Sequence, residues 1–249
     1  MIVMKSTELV QKAIWIAKEL NTYYILGCFG APMNEKNRKR YTNNNDFNRS
    51  RARLINNLKP NVFGFDCVCL IKSILWGFSG NASATYGGAQ YRANGVPDVG
   101  ANSMMNTYCK DVSADFKHIE IGEAVWLDGH IGIYIGDGLA VECTPKWENK
   151  VQITAVGNIG KKSGYNTRTW TKHGKLPWVD YSVSSNGTAL PKNDTSIIEY
   201  KVVHGDTLWD ISKKYLGKGN RYREIMQMNN LTTTNIYAGM TLRIKVERR

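Results

Sequence analysis

The chain has 249 residues, 42% of them hydrophobic, and a formal charge of +12. That length suits one large and one small domain with real cores, which excludes a disordered chain, and no apolar run approaches the roughly 20 residues of a membrane span. The positive balance, ten Lys/Arg against five Asp/Glu in residues 198–249 and +7 in the remainder, points to a polyanion: nucleic acid, an anionic membrane surface or an acidic cell-wall polymer.

The opening stretch "MIVMKSTELVQKAIWIAKEL" spaces its apolar residues as an amphipathic helix does, with Lys5, Glu8, Lys12, Lys18 and Glu19 between them. It lacks the pattern of a signal sequence, so the expected folding compartment is a reducing cytoplasm. There Cys28, Cys67, Cys69, Cys109 and Cys143 stay thiols, and their odd number leaves at least one unpaired in any case. The tract "NEKNRKRYTNNNDFNRSRAR" (34–53) interleaves basic residues, Asn and aromatics; it reads as a solvated loop rather than a nucleic-acid-binding one. Helical periodicity returns over 67–76, and 77–115, rich in Gly, Ser and Asn, reads as long loops.

Alternating strands follow at "AVWL", "HIGIYIG", "LAVECT" and "VQITAVG". Helices first and strands after predict an α+β domain over 1–180, its N-terminal helices packed on an antiparallel sheet. Trp170, His173 and Trp178 read as aromatics at the edge of its core. Residues 181–197 are polar with Gly and Pro and predict a linker. The last unit, 198–249, reads as a small βααβ domain: strand "YKVV", helices "TLWDISKKYL" and "RYREIMQMNN", strand "TLRIKV".

The chemistry-bearing stretch is "FGFDCVCLIKSILWGF" (63–78). Asp66 is a favourable N-cap, which sets Cys67 in the first turn of the helix. Two helical residues are about 200° apart around the axis, so Cys67 and Cys69 point to opposite sides and cannot share a metal. No CxxC pair and no two His at i and i+4 occur among His118, His130, His173 and His204, so no metal is expected. A helix start favours a thiolate, and a lowered pKa is expected for Cys67, with Cys69 a small buried hydrophobe.

The base candidate is His130 in "GHIGIYIGDG". Alternation puts His130, Gly132 and Tyr134 on an exposed face and Ile131, Ile133 and Ile135 on the core face. A three-residue turn at Gly136, Asp137 and Gly138 pairs Ile135 with Leu139 and Gly132 with Glu142, placing Glu142 diagonal to His130. A two-residue Asp-Gly turn sends Glu142 to the opposite face, so the register decides whether it orients the imidazole or is a solvated strand carboxylate.

At these residues the sequence resembles the NlpC-type cell-wall cysteine peptidases, a papain-like family related to the CHAP amidases. "YILGC" (24–28) is similar to the family's Tyr-x-x-Gly-Gly segment, "FDCVCLI" to its Asp-Cys helix start, "IGEAVWL" to its Gly-Asp-x-Val-x strand and "GHIGIYIGDG" to its histidine strand. The resemblance implies a papain-like fold, Cys67 as nucleophile, His130 as base, Glu142 as orienter, Tyr24 and Asp66 lining the site, and no cofactor. The family's third site usually holds His, Asn or Gln, an acidic residue being more typical of the CHAP relatives, and Cys28 stands where a second Gly is usual. "YKVVHGDTLWDISKKY" with "NIYAGMTLRI" resembles a lysin motif (LysM). That implies a groove for N-acetylglucosamine-containing glycan from Gly205, Asp206, Thr207 and Leu208 and from Asn230, Leu231, Ile236 and Tyr237, with Trp209 and Ile211 in the core.

Together the resemblances imply a monomeric peptidoglycan hydrolase acting on the stem peptide, as an endopeptidase or an N-acetylmuramoyl-L-alanine amidase. Its partners would be peptidoglycan and anionic wall polymers, not nucleic acid or membrane. The arrangement resembles a phage endolysin of a Gram-positive host, made in the host cytoplasm and acting at the wall after release. The competing expectations are an inactive wall-glycan-binding protein and a papain-like acyltransferase or thioesterase.

Overall fold

A computed structural model describes residues 2–182, 195–203, 205–229, 231 and 233–247. The chain divides into two compact units, Met1–Ala189 and Leu190–Arg249. The first begins with β1 (Met4–Lys5), α1 (Ser6–Glu19), β2 (Thr22–Tyr24) and β3 (Phe29–Pro32), followed by three short helices, α2 (Glu35–Thr42), α3 (Asp46–Ser50) and α4 (Ala52–Asn56). Next come β4 (Phe63–Phe65), α5 (Cys67–Leu75), the short α6 (Ala101–Ser103) running into a π-helical turn at Met104–Tyr108, and β5 (Lys110–Ser113). The remaining strands are β6 (Ala124–Leu127), β7 (His130–Gly136), β8 (Leu139–Thr144), β9 (Lys150–Val156), β10 (Thr167–Arg168), β11 (Lys172–Lys175) and β12 (Val179–Asp180).

The main sheet has the order β10-β9-β8-β7-β6-β11-β5 and is antiparallel except for the parallel β9–β10 pair. A separate three-stranded sheet has the order β2-β4-β3, with β2 parallel and β3 antiparallel to the central β4. α1 turns Leu9, Val10, Ala13 and Ile16 inward at helical spacing, and all nine residues of α5 are buried, including Lys72, whose ammonium pairs with Asp98, and Ser73, whose hydroxyl donates to the Leu70 carbonyl. Both helices join one core with Ile131, Ile133 and Ile135, the stripe on the inner face of β7. α5 ends where Gly77 takes a left-handed φ of 89°, a conformation that glycine adopts without strain.

Three expectations need correction. Residues 34–53 are not a solvated loop but α2, α3 and the start of α4. Their asparagines are the reason: Asn34 accepts the Asn37 N–H at 3.0 Å and Asn45 accepts the Asn48 N–H at 2.8 Å, each as a helix N-cap. The His130 face of β7 is not exposed either, because Phe116, Val125, Tyr134, Ala140, Val156 and Trp170 build a second core over it. The 77–115 stretch, finally, is interrupted by α6, the π-turn and β5.

In the second unit β13 (Thr195–Lys201) pairs antiparallel with β14 (Thr241–Glu247), and α7 (Leu208–Leu216) and α8 (Tyr222–Met228) lie between them in the chain. Val202, Leu208, Ile211, Leu216, Ile225, Leu242 and Ile244 form its core. β13 starts inside the stretch expected as linker; residues 183–194 of that stretch lie outside the described residues.

Candidate active site

Asp66 organises the start of α5. Its Oδ1 accepts the Cys69 N–H and its Oδ2 the Gly27 N–H, both at 2.7 Å, while its own N–H donates to the Cys28 carbonyl at 3.1 Å. The loop after β2 is thereby tied to the helix start, and buried Tyr24 lies beside it. Burial, then the charges of Cys67 and Asp66, push the Tyr24 phenol well above its usual range.

Cys67 is 7% exposed. Its Sγ lies against the β7 backbone on both sides of His130: the Gly129 carbonyl is 4.0 Å away and the Ile131 N–H points to the sulfur. The lowered pKa expected at a helix start is not what this site produces. Burial and the negative Asp66 side chain push the thiol up to about 12, outweighing the N–H groups of Ile131, Val68 and Cys67 that favour a thiolate. At neutral pH the resting sulfur therefore carries its proton, and a base is needed to remove it. Cys69 is buried in the same core and also raised by burial and Asp66.

The β7–β8 register combines the two alternatives drawn from the sequence, the Gly132–Glu142 pairing of one with the two-residue Asp-Gly turn of the other. Gly132 pairs with Glu142, Ile133 with Val141 and Tyr134 with Ala140, but it is Gly136 that pairs with Leu139, after a register shift. The turn is thus two residues, Asp137 (φ 52°) and Gly138 (φ 71°), and the irregularity at Ile135–Gly136 supplies the offset that returns Glu142 to the His130 face.

There His130 Nε2 and Glu142 Oε2 are 2.7 Å apart. Glu142 is fully buried, and its Oε1 also accepts the Thr154 hydroxyl at 2.7 Å. Arg168 Nε donates to both carboxylate oxygens, at 2.9 and 2.7 Å. Burial acts to raise the Glu142 pKa, but the hydrogen bonds from His130 and Arg168 prevail and hold it below the ordinary carboxylate value. Trp170 stacks on the imidazole at 5.4 Å with an 8° tilt, and the Arg168 guanidinium lies over Trp147 (4.8 Å) and Trp170 (5.5 Å).

Thr154, Arg168 and Trp170 escaped the sequence reading as site residues. Alternation along β9 puts Thr154 two positions from Gln152, the partner of Glu142, so it was there to be found. Arg168 belongs to a two-residue strand after a long connection, and no periodic signal marks it. Gly132 matters for space: a Cβ there would sit 2.9 Å from the Val141 carbonyl and 3.2 Å from Trp170. Gly132→Ala is expected to cost about 1–3 kcal/mol by overpacking against Val141 and the Trp170–His130 stack; urea midpoints of the variant and wild type check this.

In the second unit, Thr207 caps α7, accepting the Asp210 N–H at 3.1 Å. Asp206 accepts the Val203 N–H at 2.9 Å and the Tyr200 hydroxyl at 2.8 Å, holding the turn at Gly205 (φ 91°). Leu208 is buried in the core, Leu231 and Ile236 pack against it, and Tyr237 is 68% exposed. Asn230 lies outside the described residues. Ile211 is buried as expected, but Trp209 is not a core residue: it is 53% exposed, its ring lying over Gly219.

Residues 200–245 match the family model of the LysM domain. The chain is also similar to a protein named "Probable endopeptidase p60" from Listeria grayi, 38% identical over 67 residues. That similarity covers 27% of this chain and 12% of the relative, so the chain spans only a small part of that protein's length. The second unit accordingly contains a LysM domain, at residues 200–245.

Proposed function

We propose that the first unit is a papain-like cysteine hydrolase of the peptidoglycan stem peptide, and that the LysM domain tethers it to N-acetylglucosamine-containing glycan. The observation that carries this reading is the thiol of Cys67 seated at a capped helix start against the strand that bears His130, whose far nitrogen is held by buried Glu142. Nucleophile, base and orienter in that order are what acyl transfer from a peptide or amide requires. A LysM domain and similarity to a protein named an endopeptidase point to the wall as the place of action.

With Nε2 engaged by Glu142, Nδ1 is the ring nitrogen left to serve the thiol. Nδ1 takes the Cys67 proton as sulfur attacks the scissile carbonyl; the carbonyl π pair moves to oxygen, forming a tetrahedral oxyanion. Backbone N–H groups at the start of α5 face that charge. Collapse breaks the C–N bond, and the imidazolium returns its proton to the departing amine, leaving a thioester. Water, deprotonated by His130, then adds to the thioester carbonyl; collapse breaks the C–S bond, the imidazolium returns the proton to sulfur, and the carboxylic acid product leaves. Throughout, Glu142 stabilises the imidazolium while Arg168 and Thr154 fix the carboxylate. Tethering through the LysM domain raises the effective concentration of stem peptide, as an enzyme of endolysin type acting at the wall requires.

Digestion of purified Gram-positive walls with the full chain tests this reading. New amines are expected, and mass spectrometry of the fragments separates an amidase, which frees the peptide from muramic acid, from an endopeptidase, which opens the stem. Walls that retain the protein and release no amine would make it a glycan-binding protein instead; turnover of acyl esters with intact walls would make it an acyltransferase or thioesterase.

A further inference from the structure

The positive charge of the first unit is not spread over it. Residues 34–60 hold eight Lys/Arg and two Asp/Glu, +6 of the +7 carried by residues 1–197. Two of these cations are structural. Arg38 donates to the Met33 and Leu58 carbonyls, and Arg51 donates to the Tyr24 carbonyl (3.1 Å) and to Asn149 Oδ1 (2.6 Å). The other six, Lys36, Lys39, Arg40, Arg49, Arg53 and Lys59, are exposed, Arg40 donating to the Tyr86 hydroxyl at 3.1 Å and Arg49 pairing with Asp46. On α2 the inward positions are Asn37 and Tyr41, so Lys36, Lys39, Arg40 and Asn43 form an outward stripe at i, i+3, i+4 and i+7. α2, α3 and α4 pack on one another and carry this charge as one body.

That body is fastened to the reacting centre. Buried Asn48 on α3 grips the Leu26 backbone from both sides, accepting its N–H at 3.1 Å and donating to its carbonyl at 2.9 Å. The next N–H, of Gly27, goes to Asp66, which caps the Cys67 helix. A polymer held on α2–α4 is therefore held at a fixed place relative to the thiol.

We propose that the exposed face of α2–α4 binds the phosphodiester backbone of an anionic wall polymer, a polyol phosphate. The proposal rests on the wall as destination, and it adds a second anchor, independent of the LysM domain. Clustered cations attract a polyanion by charge and counterion release, and the exposed amides of Asn44, Asn56 and Asn57 add neutral donors for phosphate and hydroxyl oxygens. Nucleic acid fits less well. The exposed aromatic of the segment, Phe47, is engaged edge-on with Tyr24 and offers no run of rings on which bases could stack.

The full chain and the variant K36Q/K39Q/R49Q/R53Q are compared for binding to walls that keep their polyol phosphate and to the same walls after acid has removed it. On intact walls at low salt the variant is expected to bind at least tenfold more weakly, and on stripped walls equally with wild type. Free poly(glycerol phosphate) should compete for wild type, and raising salt should erase the difference. Equal binding to intact walls, or stronger competition by duplex DNA than by poly(glycerol phosphate) at equal charge, would overturn the proposal. Binding is read without turnover, and amine release from stripped walls is measured separately. A failed surface and a failed hydrolase are thus distinguishable.

Discussion

Cys67→Ser is expected to end amine release from walls, lowering the rate by on the order of 10⁴-fold or more while leaving the fold intact. The substitution exchanges one atom at a buried position whose surrounding N–H groups and Asp66 cap remain in place. What changes is the nucleophile. Even the thiol is raised to about 12 here, and a hydroxyl is intrinsically harder to deprotonate and a poorer match for a base built to serve sulfur. The stability change should stay within about 1–2 kcal/mol, the range for one buried polar group that gains a partial hydrogen bond. Cys69→Ala is the control. Cys69 packs in the same core behind the helix start, so its loss should cost about 1 kcal/mol of stability and little activity. Amine release and urea midpoints of the two variants, measured side by side, check the assignment; an inactive Cys69→Ala with an active Cys67→Ser would transfer the nucleophile to the other cysteine.

The parts of the fold that were legible in advance are those with a strong hydrophobic period. α1 buries one regular stripe, α5 and β8 are apolar enough to be buried along their whole length, and the sequence patterns of α1, α5 and β6 to β9 name their boundaries to within a residue or two. Residues 34–53 have no such period, because their helices are short and hold on by asparagine caps and by Asn37, Arg38 and Asn48 bonding to backbone carbonyls. Polarity disguised them as a loop. The geometry of the His130 face was half legible: the pairing of Gly132 with Glu142 was foreseen for a three-residue turn, and it occurs with the two-residue turn because a bulge at Ile135–Gly136 supplies the offset. The cover over that face was not legible at all. It comes from Phe116, in a 3-10 turn, and Trp170, in the connection between β10 and β11, and alternation along β7 alone carries no record of them. The direction of the Cys67 pKa was likewise misjudged, because the helix start was visible in the sequence and the depth of burial was not.

Glu142→Gln should separate the two roles that converge on this carboxylate. Glu142 is fully buried and shared by His130, Thr154 and Arg168. A neutral amide can accept from only one side, and its NH2 turns a donor toward another donor, either His130 Nε2 or Arg168 Nε. The guanidinium of Arg168, 13% exposed in its side chain, then loses its counter-charge. Leaving one partner of a buried ion pair costs about 3–5 kcal/mol, and loss of the imidazole's orienter should lower the rate by about 10²–10⁴-fold. The double variant Glu142→Gln/Arg168→Met removes both charges and should recover most of the stability, since an apolar replacement of a buried pair is often neutral. It should not recover the rate, because Nε2 still lacks a carboxylate. Acid gives the same separation. A carboxylate held below its ordinary value contributes stability that is present above the unfolded-state value and lost as pH falls through the folded-state value. The urea midpoint of wild type should therefore drop more steeply below about pH 4 than that of the double variant. A single Glu142→Gln variant with wild-type rate would remove the carboxylate from the mechanism, and one with wild-type midpoints at every pH would remove the Arg168 pair from the stability of the fold.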